Sequence, residues 1–227
     1  MGKKSNTDKK PSYDNIVSTT ILRIVDTIVL SVLWMVCSLP IVTIGASSTA
    51  FYYAFHKSVR NRRGYAWQSF FHSFKSNFKQ TLKVWLLMLF LYLFLAFDYI
   101  ILQAMLEENS GAGALSNIIL CIIMLVTLWS LYLFPYIARF ENSTKTILRN
   151  CMLMALMNLP ASALILGTFM VAVAVFIACF TTISPLFISC FPAVYIVVAN
   201  QILERVFRKY LSPEDLEKLQ QIEEKQE

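Results

Sequence analysis

Long apolar runs, separated by short polar connections, are the dominant pattern along this chain. Residues 115–137 contain no charge, and the longer run 161–201 contains none either. A third run, 82–106, is interrupted only by one lysine, one aspartate and one glutamine. A helix needs about 20 consecutive apolar residues to cross the hydrocarbon core of a bilayer, so each run predicts membrane-spanning helices. Barrel strands would alternate polar and apolar residues, which these runs do not do, and the predicted fold class is therefore all-α.

Six membrane-spanning helices are predicted from the lengths of these runs, joined by amphipathic connections on the cytoplasmic side. Pro40 and Pro185 divide two runs of about 40 residues, since one helix needs only half that length to cross a bilayer and proline ends helices. We expect a membrane domain at 21–210, preceded by a basic segment at 1–20 and followed by a short helix at 211–227. The predicted spans are residues 21–39, 41–58, 82–106, 115–137, 161–181 and 186–204.

Composition agrees with a membrane protein, and charge gives its expected orientation. Hydrophobic residues make up 57% of the chain and charged ones only 15%, whereas a soluble domain carries about a quarter. With both termini in the cytoplasm, all twenty Lys and Arg residues fall on the cytoplasmic side, and the outer connections 39–41, 107–114 and 181–185 carry none. Topology and contact with the lipid bilayer then explain the net charge of +6 without a nucleic-acid partner.

The connection between the first two predicted spans is uncharged and contains proline, glycine and several hydroxyl residues. Its candidate functional residues are Pro40, Thr43, Gly45 and Ser47. Small residues spaced four apart let helix backbones approach closely, so the pattern favours a tightly packed outer hairpin. The alternative is a broken helix that lines a substrate path, because irregular backbone in a membrane is tolerated inside protein or next to water.

An aromatic face is predicted on the polar connection at residues 64–80. Five aromatic side chains recur there at helical spacing, with lysines off that face. Such a face is typical of a helix that lies in the membrane interface. The alternative is a helix that packs on the cytoplasmic ends of the bundle. The predicted interfacial residues are Trp67, Phe70, Phe71, Phe74 and Phe78.

Two of the polar connections resemble one another. When Phe74–Lys83 (FKSNFKQTLK) is aligned with Phe140–Arg149 (FENSTKTILR), the first Phe, one Lys, one Leu and the final basic residue coincide. Each segment follows a span that is predicted to run inward and leads into one that runs outward. The similarity predicts a parallel internal repeat, as transporter folds often contain. With only these matches, chance similarity is the alternative.

Charged residues inside the spans are the candidates for chemistry, because a charge near the bilayer centre costs about 2.5–3.5 kcal/mol on insertion scales. Asp98 in the third span is either a proton or cation site, or a hydrogen-bond anchor near the outer interface. No metal or cofactor site is expected, since the two histidines and five cysteines lack ligand spacing. No catalytic motif is present, so we assign no catalytic residue and do not expect an enzyme.

Three segments resemble the YesL family of bacterial membrane proteins, whose molecular activity is unknown. They are LWMVCSLPIVTIGASSTAFYY (33–53), GYAWQSFFHSFKSNFKQ (64–80) and LFPYIARFENSTKTILRNCMLMALMNLP (133–160). Members of that family tend to occur near genes for carbohydrate ABC transporters and their regulators. The resemblance implies a bacterial cell-membrane protein with an accessory or regulatory role beside a carbohydrate ABC permease or a sensor kinase.

The alternative function is a small self-contained transporter or channel. It would use the outer hairpin at 37–50 together with Asp98. We would then expect a homo-oligomer, because six helices leave little room for a path through one chain.

Overall fold

The computed structural model describes residues 13–60, 65–105, 110–182 and 190–211, and these contain helices and no strand. A short 3-10 turn at Ile41–Thr43 precedes α2, and a π-helical segment at Phe55–Arg60 follows it. The chain from residue 41 to residue 60 is therefore helical throughout, but with three different hydrogen-bond periods. The seven α-helices are α1 (Tyr13–Ser38), α2 (Ile44–Ala54), α3 (Ala66–Ala104), α4 (Ser110–Arg139), α5 (Thr144–Met157), α6 (Leu159–Thr182) and α7 (Cys190–Arg208).

Four helices in the described part of the chain are long and apolar enough to cross a membrane. They contain Thr20–Ser38, Ala66–Ala104, Gly113–Arg139 and Leu159–Ile177. An all-helical, multi-pass membrane architecture is thus supported, whereas the predicted number of six spans is not confirmed. α1 begins at Tyr13, eight residues before the predicted start of the first span. The predicted basic segment at 1–20 and the predicted short helix at 211–227 lie mostly outside the described residues.

α3 corrects the predicted boundary between a separate interfacial helix and the third span. It is one helix of 39 residues, which corresponds to about 58 Å. No glycine or proline interrupts residues 66–104, so nothing in the backbone chemistry ends the helix there. Lys79 and Lys83 lie on exposed positions of the helix, where a charge costs little.

The α1–α2 hairpin packs against the middle of α3. Trp85 donates a hydrogen bond from Nε1 to the Ile41 carbonyl at 2.7 Å. Trp34 in α1 donates to Ser48 in α2 at 3.1 Å, so the two arms of the hairpin are also joined to each other. The hairpin was predicted at the outer end of the bundle, yet it lies at the level where the third span was predicted to begin.

α5 is an additional helix that the span prediction treated only as a connection. It packs against α4, with Asn150 Nδ2 donating to the Tyr136 hydroxyl at 3.1 Å. α7 contacts the same end of α4, because Glu204 near its C-terminus pairs with Arg139, the last residue of α4. The six-span prediction gave α4 and the last span the same direction, and that direction stays a prediction.

Candidate functional site

The hairpin residues form a closed, internally bonded turn. The Thr43 hydroxyl lies 2.6 Å from the Cys37 carbonyl and 2.7 Å from the Pro40 carbonyl, and it donates to these oxygens. Ser47 is fully buried, and its hydroxyl donates to the Thr43 carbonyl at 2.6 Å. The side-chain hydroxyls thereby satisfy carbonyls that the turn leaves without helical partners. Pro40 itself is exposed.

Gly45 is a position of close helix approach. A Cβ atom placed there would lie 2.7 Å from Cβ of Trp85 and 2.9 Å from Cε1 of Phe134. α2 therefore contacts α3 and α4 with no room for a side chain, as small residues in membrane helices permit. These contacts favour the tight-packing interpretation of the hairpin over a substrate path.

Asp98 is not brought together with the hairpin. It is half-buried on α3, thirteen residues beyond Trp85, which places it about 20 Å further along the helix axis. Within the described part of the chain, its carboxylate makes no hydrogen bond or ion pair. The candidate site that combined these two features is therefore not assembled.

The predicted aromatic face is divided between the core and the surface. Phe70 is fully buried, and its ring lies 6.2 Å from that of Phe74. Trp67 is 52% exposed and Phe71 is 39% exposed. Phe74 and Phe78 are half-buried, so only part of this face is available to a membrane interface.

A polar cleft of about 780 Å³ lies between α3 and the junction of α4 with α5. We call it the polar cleft throughout. Its volume falls within the range of about 300–1,000 Å³ that is usual for small-molecule sites. Hydroxyl, amide and charged side chains dominate the surface. The lining residues are Tyr53, His72, Ser76, Asn77, Gln80, Ile137, Ala138, Arg139, Phe140, Glu141, Asn142, Ser143 and Thr146.

The two similar segments of the sequence form the two walls of the polar cleft. When FKSNFKQTLK is aligned with FENSTKTILR, three pairs of aligned residues line the cleft, one member of each pair on each wall. The pairs are Ser76 with Asn142, Asn77 with Ser143, and Gln80 with Thr146. The walls also touch directly, since Gln80 Nε2 donates to the Asn142 carbonyl at 2.7 Å. The sequence alignment predicted that the segments are related, but not that they face each other.

Local hydrogen bonds hold the α4–α5 wall in place. Ser143 is the N-cap of α5, and its hydroxyl accepts from the Thr146 backbone N–H at 3.4 Å. The preceding residue, Asn142, donates from Nδ2 to the Tyr136 hydroxyl at 3.1 Å. A capping serine satisfies one of the free N–H groups at a helix start, which fixes where α5 begins.

A buried charge cluster lies directly behind the polar cleft. We use this name for Tyr52, His56, Arg139 and Glu204. The Glu204 side chain is only 3% exposed, and its carboxylate pairs with the Arg139 guanidinium. The Tyr52 hydroxyl donates to the same carboxylate at 3.2 Å, and His56 Nδ1 lies 3.4 Å from it. A buried carboxylate needs such partners, because an unpaired charge away from water is strongly unfavourable.

Arg139 belongs to both features. Its side chain is 11% exposed, it lines the polar cleft, and it pairs with Glu204 behind the cleft. It therefore connects α4, which forms the floor of the cleft, with α7 and the end of α2. A group that engages Arg139 from the cleft would also change the surroundings of Glu204.

The charge cluster was not predicted from the sequence. No spacing rule relates residues 52, 56, 139 and 204, because three separate helices bring them together. Among the described residues, no group of three His, Cys, Asp or Glu side chains is placed to hold a metal ion.

The comparisons with known proteins point to one family model. Residues 27–99 match DUF624, a protein family of unknown function. The match covers about a third of the chain, from α1 through the hairpin and α2 to most of α3. It therefore includes the closed hairpin and the α3 wall of the polar cleft. No curated protein matches the chain, and no solved structure does.

Proposed function

We propose that this chain is an accessory or regulatory membrane protein that binds its ligand or partner at the polar cleft. The observation that carries the proposal is the connection, through Arg139, of an open polar cleft with a buried charge cluster. An open cleft provides access for a partner. The pairing of Arg139 with Glu204 provides a means by which occupancy of the cleft would alter the packing of α7 against α4.

The proposed partner is a carbohydrate ABC permease or its sensor kinase. This part of the proposal rests on the resemblance of three segments to the YesL family, and the DUF624 match over 27–99 adds a family of unknown function. The basic residues beside the cleft are expected on the cytoplasmic side by the positive-inside rule. A cytoplasmic cleft would be accessible to the cytoplasmic domains of either partner.

A self-contained transporter or channel is the alternative function. Two observations count against it. The helices are closely packed at Gly45, and Asp98 lies about 20 Å along α3 from Trp85, so the hairpin and Asp98 do not form one path. Exchanging Asp98 for the neutral, isosteric asparagine tests it directly. If Asp98 couples protons to transport, Asp98→Asn abolishes uptake in whole cells, and the accessory role predicts unchanged uptake.

The proposed function is tested by capture of partners from the native membrane. Tagged full-length protein is solubilised in mild detergent, and the proteins that co-purify are quantified by mass spectrometry. Ser76→Trp serves as the cleft variant, because Ser76 is exposed and lines the cleft, so that the indole fills open space without disturbing the core. Gln68→Trp is the matched control, since Gln68 is exposed on the same helix and does not line the cleft.

We expect wild type and Gln68→Trp to capture a permease or sensor kinase in stoichiometric amounts, and Ser76→Trp to lose it. Equal capture by all three proteins would remove the cleft from the proposal. Recovery of this chain alone, as a defined homo-oligomer, would contradict the accessory role and favour a self-contained transporter.

A further inference from the structure

We infer that the polar cleft binds a phosphate group, carried by a lipid headgroup or by a soluble phosphorylated compound. The inference rests on the proposed function only in taking the polar cleft as the ligand site. Both sources present the same tetrahedral anion, and the experiment below separates them.

The charge around the polar cleft favours an anion. Lys57 Nζ lies 3.3 Å from the hydroxyl of Tyr53, which is part of the lining. On α3, Lys79 and Lys83 follow His72 by seven and eleven residues, which places all three on one helix face at 100° per residue. Cations on a concave surface raise the local concentration of anionic ligands.

Acidic groups do not cancel this charge. Glu141 is the one carboxylate in the lining, and its side chain is exposed to solvent, where its effect is screened. Glu204 lies behind the floor and is already paired with Arg139. On the α5 wall, Arg149 follows the lining residue Thr146 by one helical turn and adds a further cation.

The donors in the polar cleft suit phosphate oxygens. Arg139 has a planar guanidinium, whose geometry matches two oxygens of one phosphate. The hydroxyl groups of Ser143 and Thr146 on the opposite wall hydrogen-bond to each other at 2.8 Å, which leaves the pair one proton to donate to a phosphate oxygen. A phosphate between the walls would therefore meet hydroxyl groups from α5, and it would reach the Arg139 guanidinium in competition with Glu204.

Binding at Arg139 would have a consequence for the buried charge cluster. A phosphate that bonds to the guanidinium competes with the Glu204 carboxylate for the same cation. Weakening the pair would loosen α7 from α4, because Glu204 is the residue of α7 that pairs with Arg139. Occupancy of the cleft is thereby linked to helix packing.

The inference is tested with purified full-length protein in detergent and inorganic phosphate as the probe. Thermal unfolding is followed in sodium phosphate and in sodium chloride at matched ionic strength. With phosphate several-fold above its dissociation constant, we expect the melting temperature to rise by about 2–4 °C. Ser76→Trp should abolish the rise, and Gln68→Trp should retain it.

A second pair of variants tests the charge without filling the cleft. Lys79→Gln should weaken phosphate binding about two- to five-fold, as expected for one solvent-exposed charge. Arg205→Gln is its control, because Arg205 is exposed and carries the same charge but lies on α7, whereas Lys79 is next to the lining residue Gln80 on the α3 wall. Equal phosphate affinity in these two variants would overturn the assignment of the cleft.

The lipid source is tested in parallel by reconstitution into phosphatidylcholine vesicles with and without phosphatidylglycerol. A stabilisation by inorganic phosphate that Ser76→Trp removes identifies a soluble phosphate compound as the source. A stabilisation that is seen only with phosphatidylglycerol, and that Ser76→Trp removes, identifies a lipid headgroup. If neither probe stabilises the protein in a way that Ser76→Trp removes, the inference is wrong. The proposed function would still stand if Ser76→Trp loses the captured partner.

Discussion

Gly45 shows at the scale of one residue how closely α2 approaches its neighbours. Because a Cβ atom there would lie 2.7 Å from the Cβ of Trp85, Gly45→Ala requires the helices to move apart. We expect this variant to lower the free energy of unfolding by about 1–3 kcal/mol, the usual effect of overpacking. Thermal or denaturant unfolding in detergent measures the change.

Gly167 provides the matched control for this substitution. It lies inside α6, and a Cβ atom there would meet no atom within 4 Å. Gly167→Ala should be neutral or stabilising by up to about 1 kcal/mol, since alanine favours a helix over glycine. If Gly45→Ala and Gly167→Ala unfold at the same temperature, that result would contradict the close approach of α2 to α3.

Arg139 and Glu204 should depend on each other energetically. Replacing either alone, as Arg139→Gln or Glu204→Gln, leaves a buried charge without its partner and should cost about 3–5 kcal/mol of stability. In the double variant no charge is left unpaired, so its loss should be smaller than the sum of the single losses by about 1–3 kcal/mol.

The exposed Arg205 provides the control for this double-mutant cycle. Arg205→Gln should change stability by no more than about 0.5 kcal/mol, as surface substitutions usually do. Strict additivity of Arg139→Gln and Glu204→Gln in the same unfolding assay would contradict the buried pair.

At the scale of the helices, the predicted spans 21–39, 115–137 and 161–181 correspond to α1, α4 and α6, because each has the length and hydropathy of a single membrane helix. α3 was divided wrongly, since the aromatic face at 64–80 was assigned to a separate interfacial helix, whereas one helix runs from Ala66 to Ala104. α5 was missed despite a usable signal. Ser143 caps it, and Ile147, Cys151, Met154 and Ala155 recur at helical spacing as its buried face.

The continuity of α3 can be measured as a distance. Spin labels at the exposed positions 68 and 97, in a variant without the native cysteines, should lie about 44 Å apart along one straight helix. A perpendicular bend near residue 81, as a separate interfacial helix would require, shortens the separation to about 31 Å by the same rise per residue. Pulsed electron paramagnetic resonance distinguishes these values, and the shorter one would contradict a continuous α3.

At the scale of the whole molecule, the candidate site depends on contacts between distant parts of the chain. The similarity of Phe74–Lys83 to Phe140–Arg149 was visible in the sequence and, in retrospect, indicated the two walls of the polar cleft. The buried charge cluster could not be predicted in the same way. Tyr52 and Glu204 are 152 residues apart and meet only through the tertiary packing of α2 and α7.

The side of the membrane that the polar cleft faces is the central claim of this account. The basic residues around the cleft predict the cytoplasmic side, and the connection at 107–114, which lacks Lys and Arg, predicts the outside. Both predictions can be tested with single cysteines introduced into a variant without the native cysteines. Cysteines at Ser76 and Asn142 report which side of the membrane the cleft faces, and one at Ala114 reports the side of the connection at 107–114. All three positions are exposed, so a maleimide reagent can reach them from the aqueous side.

The most direct measurement is labelling of these cysteines with a membrane-impermeant maleimide in intact cells and in inside-out vesicles. The account predicts that Ser76→Cys and Asn142→Cys react only in inside-out vesicles, whereas Ala114→Cys reacts in intact cells. Reaction of Ser76→Cys or Asn142→Cys in intact cells would contradict a cytoplasmic cleft, and with it the binding of a cytoplasmic partner there.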